Sequence, residues 1–302
     1  MKTTSFRHPR RRLRTPALGG AALAGVLIST HLALAATVTT LTQIPYFSYP
    51  NYYGYVDGAT EQAQFHTPLG LAVDPTGNFL FVADRDNNAV RELKLQLGQT
   101  LTFVPNQFVS TNLVDHPVGV AVDSSNNVFV LNRGNGANGT VLEFNQYGDF
   151  MRTNATGLTN AAALALDSVD DIYVTVRTNT LLKITPGGAR TTVATVTNAG
   201  AWLQGITLVE NGLIAACDSG RDGILLIDPS TGSNTPLTGF NGQGDWSGLN
   251  NQGATTNTAQ FFQPSGIAKA GGDIFVVTDY GNHRVKVIYP DGTGAIIVTN
   301  LY

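Results

Sequence analysis

Pro68-Leu69-Gly70-Leu71-Ala72-Val73-Asp74 returns as Pro117-Val118-Gly119-Val120-Ala121-Val122-Asp123, and that recurrence decides the fold. Each copy is a short apolar run closed by an aspartate. Weaker copies follow at Ala163-Leu164-Ala165-Leu166-Asp167, Gly205-Ile206-Thr207-Leu208-Val209 and Pro264-Ser265-Gly266-Ile267-Ala268. With positions 70, 119, 163, 205 and 266 taken as equivalent, the spacings are 49, 44, 42 and 61 residues, a period that belongs to repeat architectures.

Behind each run a Gly, Asn or Asp turn leads into a second strand: Phe79 to Ala83, Val128 to Leu131, Ile172 to Val176, Leu213 to Cys217 and Ile274 to Thr278. A third strand follows, as in Val90-Arg91-Glu92-Leu93 and Val285-Lys286-Val287-Ile288. Then come a turn, such as Thr185-Pro186-Gly187-Gly188 or Pro290-Asp291-Gly292, and a more polar fourth strand. The first two strands are nearly all apolar while the third alternates with charge. That gradient suits strands buried on both faces near an axis and half-exposed ones toward a rim. No stretch past the leader sustains a helical period. The reading is all-β: a β-propeller of four-stranded blades with five recognisable units.

Pro264-Ser265-Gly266-Ile267-Ala268, then Ile274 to Asp279, then Asn282-His283-Arg284-Val285, resembles an NHL repeat, including the Asn-His pair. Units one and two match its first half closely; unit three lacks the Asp and the glycine, and unit four keeps part of each. The resemblance spans roughly residues 56 to 292 and implies a propeller, usually of six blades. A degenerate sixth blade assembled from the termini, with Thr37 to Ile44 beside Gly294 to Asn300, is the alternative to five.

Residues 1–35 read as an export signal: Arg10, Arg11, Arg12 and Arg14, a mildly apolar stretch from Pro16 to Leu34, and an Ala33-Leu34-Ala35 cleavage pattern. The arginines are loosely twin-arginine-like, beside ordinary secretion as the default route. Residues 36–302 are then the propeller, exported to the periplasm or beyond the cell, without stable membrane insertion. Six of the 18 basic residues lie in the leader, leaving 12 against 21 acidic residues, a net charge of −9. A surface of that sign repels phosphate backbones and argues against nucleic acid. Cys217 is the only cysteine, sits in an apolar run and reads as a buried thiol. Asn138-Gly139-Thr140 and Asn154-Ala155-Thr156 fit the glycosylation pattern and are read as ordinary loop and strand residues.

In an antiparallel four-stranded blade, the loop between strands two and three and the loop leading to the next blade leave on the same side. The leading loop of unit one packs Tyr46, Tyr49, Tyr52, Tyr53 and Tyr55, half of the ten tyrosines, into ten positions; that of unit five carries Trp246. Tyrosine and tryptophan offer large, stiff contact area with a polar tip, suited to a protein, peptide or carbohydrate partner. The competing account has them covering the seam of the ring.

Asp84, Asn132, Asp218 and Asp279 end the second strand of four units. Either they cap turns through backbone amides or the carboxylates ring an axial channel able to hold calcium. His66, His116 and His283, the histidines outside the leader, are the weak candidates for zinc. No G-x-S-x-G or H-E-x-x-H occurs, and no catalytic set is visible. The expectation is an exported binding or scaffold propeller without a cofactor. The alternative is a metal-assisted lyase or lactone-type hydrolase acting at the channel mouth, with calcium or zinc.

Overall fold

In the computed structural model, residues 53–60, 62–103, 113–176, 179–244, 259–270, 272, 274–290 and 296–300 are described. They fall within a compact unit spanning Thr39–Leu301. Blade 1 consists of β1 (Gly58–Ala59), β2 (Pro68–Val73), β3 (Phe79–Asp84), β4 (Ala89–Lys94) and β5 (Gln99–Thr102). Blade 2 is β6 (Pro117–Val122), β7 (Val128–Asn132), β8 (Gly139–Phe144) and β9 (Phe150–Leu158). Blade 3 is β10 (Ala161–Leu166), β11 (Ile172–Val176), β12 (Thr180–Ile184) and β13 (Arg190–Thr195). Blade 4 is β14 (Leu203–Leu208), β15 (Ile214–Asp218), β16 (Gly223–Ile227) and β17 (Asn234–Gly239). Blade 5 is β18 (Pro264–Lys269), β19 (Phe275–Asp279), β20 (Arg284–Pro290) and β21 (Ile296–Asn300).

Every blade is an antiparallel meander, and blade 1 carries β1 as an extra strand on the outer edge of β5. The five sheets stand in a ring, a five-bladed β-propeller. Ile296–Asn300, part of the stretch from which the six-blade alternative would draw its extra blade, forms β21, the fourth strand of blade 5. Thr37 to Ile44 lies outside the described residues.

The repeated motif has a local cause. In blades 1 to 3 the aspartate closing the run turns the chain from first to second strand: Asp74 Oδ1 accepts the amides of Asn78 (2.8 Å) and Phe79 (2.7 Å). Asp123 does the same for Ser125 and Asn127, and Asp167 for Val169 and Asp171. Blade 4, with Val209 there, turns at Glu210–Gly212 with Asn211 left-handed, φ 68°, and blade 5 has Ala270 in that place. A register shift falls at the start of every inner strand, as between Pro117 and Gly119, where proline has no amide to give to the ladder.

The core is divided among the seams. Phe81, Ala83 and Val90 of blade 1 meet Val120, Val128 and Val130 of blade 2. Phe129 and Leu131 meet Leu164 and Ile172 of blade 3, whose Tyr173 and Leu181 meet Ile206 and Ile214 of blade 4. Ala215, Cys217 and Ile224 then meet Phe261, Phe275 and Val277 of blade 5. Each large aliphatic side chain buried there is worth about 1.5–3 kcal/mol. The inner strands β2, β6, β10, β14 and β18 follow one another side by side, whereas β18 and β2 make no comparable contact.

Candidate binding face

The second-strand carboxylates of blades 1, 4 and 5 tie those blades to their own leading loops. Asp84 Oδ1 accepts the His66 amide at 2.7 Å, Asp279 Oδ1 the Phe262 amide at 2.7 Å, and Asp218 Oδ1 the Trp202 amide at 2.9 Å. Asn132 Oδ1 takes the Asp115 amide at 3.2 Å. The other oxygen meets a cation: Asp84 Oδ2 lies 3.0 Å from Arg91, Asp279 Oδ2 2.8 Å from Lys286, and Asp218 Oδ2 2.6 Å from Arg221. Asn87 and Asn282 add side-chain amides, each at 2.8 Å.

Arg91 and Lys286 are fully buried, and sequence inspection passed over both. The Arg91 guanidinium donates to the carbonyls of Gln64 (2.8 Å) and Val56 (2.7 Å) and to Asp57 (2.5 Å), with the Tyr55 and Phe65 rings 5.0 Å away. Lys286 repeats the arrangement with the Gln260 carbonyl and the Phe261 ring. A signal exists in the sequence. Ala63-Gln64-Phe65 and Ala259-Gln260-Phe261 stand before the same Pro-x-Gly, and a cation follows each aspartate by seven positions. A buried cation needs this density of acceptors because losing water is costly, and of the Arg91 donors Nε alone is buried without a partner.

Tyr53 and Tyr55 therefore ride on a braced loop. Tyr53 is 56% exposed and stacks on His66, centroids 4.4 Å apart at 14°. Tyr55 is 50% exposed; its hydroxyl accepts from Thr102 at 3.0 Å. Tyr46, Tyr49, Tyr52 and Trp246 lie outside the described residues.

The histidines have separate partners. His66 sits 3.8 Å from Asp86, and His116 Nδ1 2.7 Å from Asp115. His283 is exposed in the left-handed conformation, φ 53°. The Thr67 hydroxyl, 2.5 Å from Asp86, holds that carboxyl below the usual range against the desolvation that would raise it. Among the described residues no group of three or more His, Cys, Asp or Glu is placed to hold a metal ion. Burial drives the Cys217 thiol far above the ordinary thiol range, with Asp279 and Asp218 adding to it.

Thr67, His116, Asn160 and Gln263 share a feature: each enters its inner strand with φ between 47° and 55°. Non-glycine residues held there cost about 1–3 kcal/mol each, so the surroundings must enforce the geometry. The preceding blade does so in three cases. Asn88 Oδ1 receives the His116 amide, the Gly136 carbonyl the Asn160 amide, and Asp222 Oδ1 the Gln263 amide, each at 2.8 Å. These latches fix the spacing of the loops on one face. An open groove of about 470 Å³ between blades 2 and 3, lined by Thr159, Val176, Leu182, Arg190 and Thr192, holds one charged group and no acid–base pair.

No protein-family model matches the chain, and no curated protein matches its sequence. Solved structures do match. The nidogen/laminin complex is 16% identical with a TM-score of 0.59, over 80% of this chain and 87% of that one. Virginiamycin B lyase from Staphylococcus aureus, determined with quinupristin, is 13% identical at 0.55, over 77% and 69%. An auxiliary nutrient binding protein from Bacteroides thetaiotaomicron is 15% identical at 0.66, over 86% of this chain and 63% of that one, so the chain spans less than two thirds of it. Identities this low establish a shared fold, and the chain has the β-propeller architecture of these proteins.

Proposed function

We propose that the chain is an exported NHL-type propeller that binds a protein, peptide or carbohydrate through its loop face. The observation that carries this is the exposure of Tyr53 and Tyr55 on a loop braced by the buried Arg91. Preorganised aromatic side chains lose little conformational freedom on binding, so their contact area converts efficiently to affinity. Tyr46, Tyr49, Tyr52 and Trp246 extend the same face in this reading. Residues 1–35 are its export signal. Among the described residues no helix is long and apolar enough to cross a membrane. The metal-assisted alternative is less favoured because Asp84, Asp218 and Asp279 already face cations and backbone amides.

Peptide and glycan arrays probed with the chain and with its Tyr53→Ala/Tyr55→Ala variant test the proposal. Hits on the parent should weaken about 10–100-fold in the variant, the scale of losing central aromatic contacts, with little change in melting temperature. Hits that survive the double substitution would remove this face from consideration.

A further inference from the structure

The five blades repeat closely enough to be compared position by position, and one seam departs from the others. On the face each blade turns toward its successor, a paired couple of residues from the second and third strands is sealed. Ala83 with Val90, Leu131 with Val141, Thr175 with Leu181 and Cys217 with Ile224 are all 0% exposed. In blade 5 the same couple is Thr278, which is exposed, and Val285, which is half-buried.

On the opposite face the discrepancy falls in blade 1. Leu71 is 62% exposed, whereas its equivalents Val120, Leu164 and Ile206 are at most 7% exposed. Val73 is 54% exposed as well.

The glycines point the same way. A Cβ on Gly70 would lie 2.6 Å from the Gly119 Cα, and one on Gly205 2.8 Å from the Gly266 Cα, so each glycine admits the next inner strand. The nearest atoms to a Cβ on Gly266 all belong to Thr278 of its own blade. Blade 5 keeps a close-approach glycine without the strand it would admit. Blade 1 also keeps the full interior-type loop, Gln64-Phe65 over Arg91, that in blade 5 packs against blade 4.

The geometry points to an occupant between β18 and β2: the segment Thr39–Ile44 of this chain, laid against Leu71 and Val73 as a sixth inner strand. Three observations select it over a second copy or a foreign strand. The segment has six residues, the length of β2, and its threonines and Ile44 are β-branched residues that suit a strand. Its tether is local. Tyr53 stacks on His66, two residues before β2 begins, and the intervening residues 45–52 reach up to about 28 Å. On the proposed reading of residues 1–35 as an export signal, residues 36–52 are too few for a whole blade, since the blades recur every 42 to 49 residues across the first four, and enough for a strand with its connection. The tyrosine-rich stretch Tyr46–Tyr52 becomes that connection.

Cysteine cross-linking in the full chain tests this, because the native Cys217 is buried and silent. Leu41→Cys combined with Leu71→Cys should give an intrachain adduct with a short bis-maleimide. Leu41→Cys with Val169→Cys, at an exposed site on blade 3, should not. Deleting Thr39–Ile44 should speed amide exchange about tenfold or more in Leu71–Val73 and Ile267–Lys269 while leaving blade 3 unchanged. Adducts formed only between chains would overturn the assignment in favour of a second copy. Equal yields in the two cysteine pairs, or exchange unaltered by the deletion, would overturn it outright. None of these outcomes depends on what the loop face binds.

Discussion

At the scale of single residues, Asp222 shows how the loop face is tuned. Its backbone is left-handed, φ 59°, and its Oδ1 receives the Gln263 amide that latches blade 5 to blade 4. Burial raises its carboxyl above the ordinary range; the Gln263 amide opposes that shift, and the negative Asp279 and Asp218 add to it. A raised folded-state pKa means the folded chain binds this proton more tightly than the unfolded chain. The associated stability is then present below the unfolded value near 3.8 and fades as pH rises through the higher folded value. Asp222→Asn keeps the acceptor oxygen, tolerates the backbone conformation and removes the charge. Its melting temperature should exceed the parent's by about 2 °C at pH 7, as expected for under about 1 kcal/mol, and the two curves should converge below pH 3. A gain that persists in acid would assign the effect to the backbone alone.

Arg91 and Lys286 show at the same scale why sequence reading found the carboxylates and not their partners. A strand-ending aspartate is conspicuous by position. A cation in an alternating third strand reads as an exposed residue, and only the loop folded over it supplies the acceptors that let it be buried.

Among elements, the inner strands depend on how closely they approach one another. Gly205→Ala places a methyl group 2.5 Å from the Ser265 carbonyl oxygen, so blades 4 and 5 must move apart. The cost should be about 1–3 kcal/mol in chemical denaturation, the usual penalty of overpacking. An unchanged denaturation midpoint would show that the two inner strands can part without cost. The strands themselves were legible in the sequence because alternation and turn residues are local properties. The extra strand β1 was missed: two residues pairing with Gln99 and Thr100 carry no periodicity of their own.

For the whole molecule, stability is a chain of seams that couple blades 1 to 5 in turn through apolar side chains, three of them also through an amide latch. The second-strand carboxylates Asp84, Asp218 and Asp279 are spent within their own blades, on leading-loop amides and on cations. Chelation should therefore leave the melting temperature unchanged, and millimolar calcium or zinc should not raise it. A site filled a hundredfold above its Kd would add about 2.7 kcal/mol and be plain in the melting curve.

The repeat, the strand order within each blade and the turn aspartates could be read from the amino acids alone, because each rests on residues a few positions apart. Which cations the aspartates meet, and which seam lacks its packing, were decided by tertiary structure. Arg91 and Val56 stand far apart in sequence, and Leu71 differs from Val120 only in what lies opposite. Such contacts depend on how a loop drapes over a sheet and on how blades close around an axis, and no local pattern encodes either.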